Sequence, residues 1–228
     1  MSTLADNLSA ISARIASAAQ AVGRDPASVQ LLAVSKTKPA SAIREIHAAG
    51  VHDFGENYLQ EALTKQQALS DLPLIWHFIG PIQSNKSKAI AEHFDWVHSV
   101  DRLKIAQRLS EQRPAGLAPL NICLQVNVSG EDSKSGCTPA DLPALAKAVA
   151  ALPNLRLRGL MAIPEPTEDR ATQEAAFASL RKLQEGLGLG LDTLSMGMSH
   201  DLEAAIAQGA TWVRIGTALF GARDYGNT

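Results

Sequence analysis

LLAVSKTKP, Leu31 to Pro39, runs from four apolar residues straight into Ser35, two lysines one residue apart, and a proline. A short apolar run of this kind reads as a buried strand. A lysine at the end of a core strand must be solvated, paired or chemically employed. Lys36 is therefore the first candidate functional residue.

The same rhythm recurs along the chain. Candidate strands are Gln30–Ser35, Asp53–Gly55, Ile75–Gly80, Trp96–Val100, Asn121–Asn127, Arg156–Met161, Thr193–Met196 and Thr211–Ile215. Between them lie helix-compatible segments: Ala40–Ala49, Tyr58–Leu69, Lys86–His93, Leu103–Glu111, Pro139–Ala151, Arg170–Gly186 and Asp201–Ala207. Alternating strands and helices predict a parallel sheet. Eight units of about 25 residues each sit near the small end of a (β/α)8 TIM barrel. A doubly wound open sheet is the rival, but eight units with no spare domain favour closure. Ahead of the first strand, Leu4, Leu8, Ile11, Ile15, Ala18 and Val22 recur at spacings of three and four. They predict an amphipathic helix within residues 1–23, ended by Gly23 and Asp25-Pro26 and packed on the barrel. The whole chain, 1–228, is expected to be one domain.

Composition narrows the function. Of 228 residues, 46% are hydrophobic and 19% charged, ordinary for a globular protein with a full core. A net charge of −2 and only 4% aromatics argue against a nucleic-acid partner. No apolar window approaches a membrane span, and no signal peptide is expected at the N-terminus. Cys123 and Cys137 form no metal or redox spacing, which suits a reducing compartment, so a cytoplasmic location is expected.

In a barrel the chemistry gathers where strands end. The first candidate strand ends at Lys36, the second runs into Gly55-Glu56-Asn57, and the last two run into Gly197-Met198-Ser199 and Gly216-Thr217. Taken singly, Ser199 reads as a helix N-cap, with Asp201 and Glu203 complementing the dipole, and Gly216-Thr217 as a capped turn. Taken together, on the loops where barrels commonly hold phosphate, they form a candidate cradle opposite a lysine. A phosphorylated aldehyde fits that pair, and pyridoxal phosphate is one. Its pyridine nitrogen needs a partner, which Arg214 could supply from the eighth strand. An always-charged arginine would leave that nitrogen unprotonated and the cofactor a weak electron sink. On the residues alone Arg214 serves equally as a structural cation with a carboxylate partner.

Seven long stretches, AVSKTKP, FGENY, HFIGPIQSNK, VNVSGEDSKSG, GLMAIPEP, SMGMSHDLEAAI and VRIGTALFG, occur in one order from end to end. In them the chain closely resembles the pyridoxal phosphate homeostasis family, single-domain relatives of the alanine racemase barrel. The resemblance implies that Lys36, and not Lys38, carries pyridoxal 5'-phosphate as a Schiff base. It implies that Ser199, Gly216 and Thr217 surround the phosphate, that Arg214 lies near the pyridine nitrogen, and that Asn57 lines the same mouth. It further implies a carrier or buffer acting on intracellular cofactor homeostasis and on amino-acid and keto-acid balance, with pyridoxal-dependent apoenzymes as candidate recipients. Racemases add a second domain with a catalytic tyrosine. Here only Tyr58, expected to pack at a helix start, and Tyr225, in the tail, are available, so binding is expected rather than turnover. The alternatives are a pyridoxal-dependent racemase or lyase, and a class I aldolase using the same lysine.

Other motifs carry less. GPIQSNKS, Gly80 to Ser87, imitates the GxxxxGKS/T phosphate loop, but Asn85 replaces the second glycine and Pro81 removes a donor. His47, His52, His77, His93, His98 and His200 make no metal-binding spacing, and no metal is expected. His77 stands out because HFIG leads to a strand end. Cys123 reads as a core residue, and Glu131-Asp132 and Glu168-Asp169 as solvated pairs.

Overall fold

The computed structural model describes residues 2–132 and 134–222. Eight parallel strands close in sequence order into a barrel: β1 Gln30–Val34, β2 Asp53–Glu56, β3 Ile75–Phe78, β4 Trp96–Val100, β5 Leu120–Gln125, β6 Leu155–Met161, β7 Thr193–Ser195 and β8 Trp212–Ile215. β1 and β8 seal it, with Leu32 opposite Arg214 and Ala33 opposite Ile215. The helices are α1 Leu4–Ala21, α2 Ala40–Ala48, α3 Leu59–Ala68, α4 Ser87–His93, α5 Leu103–Gln112, α6 Leu142–Ala150, α7 Arg170–Leu187, α8 Leu202–Ala207 and α9 Thr217–Phe220. The expected (β/α)8 architecture is present, and all eight expected strands are found within two residues of their expected ends. The short 3-10 turns Pro26–Ser28 and Ser84–Lys86 and the helix α9 carry too little periodicity to be read from sequence.

Strand alternation divides the interior in two. Ala33, Phe54, Val97, Val213 and Ile215 face outward into one large apolar shell shared with the helices. Leu32, Val34, Ile79 and Trp212 form a separate cluster inside the barrel, and Trp96, Cys123 and Met161 form another. Other inner positions are polar, among them His77, His98, Ser195 and Arg214, all buried.

α1 begins at a reciprocal cap: Thr3 accepts from the Asp6 amide, and Asp6 accepts from the Thr3 amide. Its Leu8, Ile11, Ile15 and Ala19 are buried. Val22, expected on the stripe, instead lies at the C-cap and is 45% exposed, and Ala19 replaces Ala18 at the centre of the packed face. The helix packs against α8 and α9. Arg24 donates to the carbonyls of Ile206 and Ala210, satisfying acceptors at the end of α8 and beyond it.

Candidate functional site

β1 delivers Lys36 to the C-terminal end of the barrel, and the turn after it is held firmly. The Ser35 amide continues the ladder to the Gly55 carbonyl at 3.0 Å, and the Lys38 amide closes a turn on the Ser35 carbonyl at 3.1 Å. Between the lysines, Thr37 adopts a left-handed conformation, φ 64°, costly for a β-branched residue. Its amide donates to Glu61 Oε1 at 2.5 Å. The same carboxylate receives Lys65 Nζ at 2.5 Å, which also donates to the Ser35 carbonyl and to Glu56 Oε1, both at 2.7 Å. A buried brace of Ser35, Glu56, Lys65 and Glu61 thus fixes the turn that presents Lys36.

From the second strand, Asn57 follows Glu56 onto the same end. Gly80 lets the end of the third strand pass across it, because a Cβ there would lie 2.4 Å from the Asn57 carbonyl oxygen. The Asn57 side-chain oxygen is buried without a partner among the described residues, an acceptor left for a ligand to satisfy.

The last two strands complete the site. Arg214, 4% exposed, donates through NH1 to Ser195 Oγ at 2.8 Å and through NH2 to the Ala162 carbonyl at 3.0 Å. Burial pushes its pKa down to about 10, so it keeps its charge at neutral pH. Two of its five N–H groups are used in these bonds, leaving donors for a ligand. Ser199 sits in the loop before α8 and does not cap it. That position belongs to Asp201, which lacks a side-chain cap bond and instead accepts from the Met198 amide at 2.7 Å. Gly216 is the N-cap of α9, and Thr217 is its first residue.

All six expected residues, Lys36, Asn57, Ser199, Arg214, Gly216 and Thr217, line one cavity of about 220 Å³. Val34, Ile79, Ile163, Met198 and His200 line it as well. The four apolar ones went unread because apolar residues at or just past a strand end look like core. Lys38 is not in this lining; its Nζ donates to the Ala222 carbonyl at 2.7 Å. The cavity holds a cation at Arg214, an amine at Lys36, two hydroxyls and an unpaired amide oxygen. That set suits a small anionic carbonyl compound, and pyridoxal phosphate fits it.

Comparison with known proteins follows the same line. Residues 7–224 match the family described as alanine racemase, N-terminal domain. The chain is 79% identical over 226 residues to the pyridoxal phosphate homeostasis protein of Pseudomonas aeruginosa, covering 99% of this chain and 98% of that one. The chain belongs to the pyridoxal phosphate homeostasis protein family. The Escherichia coli member is 55% identical, with 99% of both chains covered. Among solved structures, PipY of Synechococcus elongatus with PLP bound superposes with a TM-score of 0.85 at 43% identity, covering 96% of this chain and all of that one. Alanine racemase from Corynebacterium glutamicum gives 0.67 at 19% identity, covering 97% of this chain and 63% of that one, a likeness of fold alone.

Further expectations can be compared with the structure. Tyr58 does not pack at the start of α3: it is the N-cap and is 52% exposed. Tyr225 lies outside the described residues. GPIQSNKS folds as a loop, a 3-10 turn and the first residue of α4, and its Ser87 hydroxyl donates to Gln112 and the Ser84 carbonyl. Burial raises the Cys123 thiol to about 12 and the Cys137 thiol to about 11, so both are protonated at neutral pH. Among the described residues no cluster of three metal-ligating side chains occurs, and no helix is long and apolar enough to cross a membrane.

Proposed function

We propose that the chain binds pyridoxal 5'-phosphate at the barrel mouth, attached through Lys36 Nζ, and carries or buffers the cofactor rather than turning over a substrate. The observation that carries this is the convergence of Lys36, Arg214, Ser199, Thr217 and Asn57 on one small cavity. The names of the 79% and 55% identical relatives and the PLP bound in PipY support it. Pyridoxal phosphate supplies an aldehyde that an amine captures and an aromatic ring that draws electrons from whatever is attached. In this reading Ser199 and Thr217 donate hydroxyl hydrogen bonds to the phosphate, and Gly216 leaves room beside them. Asn57 accepts from the cofactor. Arg214 donates to the ring nitrogen without protonating it, which weakens the ring as an electron sink and fits a carrier. Pyridoxal-dependent apoenzymes are the proposed recipients. The proposed compartment is the cytoplasm, which the two free, buried cysteines suit.

The test is the visible spectrum of the purified protein with pyridoxal phosphate added, beside Lys36→Ala. Expected is a band in the wild type, fixed to Lys36 by borohydride, and no covalent cofactor in the folded variant. A covalent cofactor retained by Lys36→Ala would overturn the attachment. Isotope exchange at the α-carbon across an amino-acid panel, at rates typical of an enzyme, would overturn the carrier role.

A further inference from the structure

A line of polar side chains crosses the barrel interior beneath the cavity. Asp53, at the start of β2, meets His77 Nε2 at 2.8 Å. His77 Nδ1 meets His98 Nε2 at 2.9 Å. His98 Nδ1 meets Ser195 Oγ at 2.7 Å, and Ser195 Oγ receives Arg214 NH1 at 2.8 Å. Five strands each contribute one member. His77, His98 and Ser195 are fully buried.

The two ends set the direction of every bond. A guanidinium only donates and an ionised carboxylate only accepts. Ser195 Oγ accepts from Arg214, so its O–H is free to donate to His98 Nδ1. His98 then carries its proton on Nε2 and donates to bare Nδ1 of His77, which carries its own proton on Nε2 and donates to Asp53. This order satisfies all four ring nitrogens and the Ser195 hydroxyl with two neutral rings. Were His77 charged, both His98 and Arg214 would donate to Ser195, leaving its hydroxyl proton without a partner in the line.

We infer that Asp53, His77, His98 and Ser195 are positioning residues that lock the orientation of Arg214 toward the cavity, through one fixed order of proton donors. The inference rests on the cofactor reading only for what Arg214 then meets, the ring nitrogen. Burial keeps His98 well below the ordinary imidazole range and His77 below it, so both rings stay neutral at pH 7. The ionisable groups facing them are Asp53, Asp95, Cys123, Arg158 over the Trp96 ring, Arg214 and Asp201. Asp53, His77, His98 and Ser195 do not line the cavity.

The experiment uses the full chain, labelled with 15N at histidine and free of cofactor. Long-range proton–nitrogen spectra should show His77 and His98 protonated on Nε2 alone at pH 7. A proton on Nδ1 of either ring, or an imidazolium at pH 7, would overturn the order. Asp53→Asn, which replaces the obligate acceptor by an amide, should mix the tautomers of both rings. It should also weaken pyridoxal phosphate binding by about three- to thirtyfold, far from the cavity. Ser195→Ala cuts the line at Arg214 and should weaken binding in the same way. Wild-type affinity and spectrum in both folded variants would overturn the positioning role. A wild type that binds no pyridoxal phosphate would overturn the cofactor reading instead, while the ring tautomers report the order of the line separately.

Discussion

Arg14, on the leading helix α1, donates through NH2 to the backbone carbonyl of Ser199 at 2.9 Å and forms a two-pronged ion pair with Glu203 of α8 at 2.7 and 2.8 Å. The helix that precedes the barrel therefore holds the loop after β7 that lines the cavity. Asn7 adds a bond to the Leu219 carbonyl in α9, 2.9 Å away. Both segments after the last two strands are clamped by the same helix.

Arg14→Ala should separate this clamp from global stability. The ion pair is more than a third exposed on both sides, so its loss is expected to cost no more than about 1 kcal/mol. Release of the Ser199 loop should instead appear as faster loss of bound pyridoxal phosphate, measured by transfer to a scavenging apoenzyme. Equal release rates in variant and wild type would detach α1 from the site.

Lys65→Met tests the brace under Lys36. Lys65 is 6% exposed, and the carboxyl it pairs with, Glu56, is fully buried, with one oxygen, Oε2, unpartnered among the described residues. Removing one member of such a pair costs about 3–5 kcal/mol. Burial raises the Glu56 pKa above its ordinary 4.5, with Lys65 pulling the other way. A raised carboxyl favours the native state while protonated, and that contribution is lost as pH rises through the folded value. Without Lys65 the folded value climbs further, so the variant should lose more stability at pH 7 than at pH 5. Urea midpoints at the two pH values check it; an equal loss at both would mean Lys65 acts by packing alone. Glu56→Gln in the same background should recover part of the loss at pH 7.

Two glycines near the cavity should behave oppositely. Gly197 has φ 100°, and a Cβ there would fall 2.6 Å from the Ala205 Cβ, so Gly197→Ala should destabilise by about 1–3 kcal/mol. Gly216 has φ −116°, and a Cβ would make contacts of 3.4–3.7 Å with Val34. Gly216→Ala should therefore melt close to the wild type and weaken only ligand binding. Thermal melts of both variants, with and without pyridoxal phosphate, distinguish the positions.

What the sequence disclosed and what it hid divide along a physical line. Strand ends are legible, because a polar residue after an apolar run has one place to go in a barrel. That is why Lys36, Asn57, Ser199, Arg214, Gly216 and Thr217 could be expected at one mouth, and they line one cavity. The brace was hidden because Lys65, four residues after Glu61, reads as a solvated helix pair. Only the approach of α3 to the end of β1 buries it. The line from Asp53 to Arg214 joins residues on five strands, and no local pattern reveals which inward side chains meet across a barrel. Ser199 was read as a cap because serine before an acidic helix start fits one, yet the Met198–Asp201 turn moves the helix start past it.

The two interior histidines also set how the fold responds to acid. Burial lowers both pKa values from the ordinary 6.5. A depressed imidazole stabilises the native state above the unfolded value, and that contribution is lost as pH falls, because the unfolded chain takes up protons the native chain refuses. Each such group contributes a slope of up to about 1.4 kcal/mol per pH unit below 6.5. His98→Gln removes one of them. Its stability should be lower than wild type at pH 7, with the loss of hydrogen bonds to His77 and Ser195, but should fall less steeply between pH 6 and 5. Denaturant unfolding at half-unit steps measures both slopes. Parallel curves would mean that His98 is protonated equally in both states and that its ring is not held neutral in the barrel.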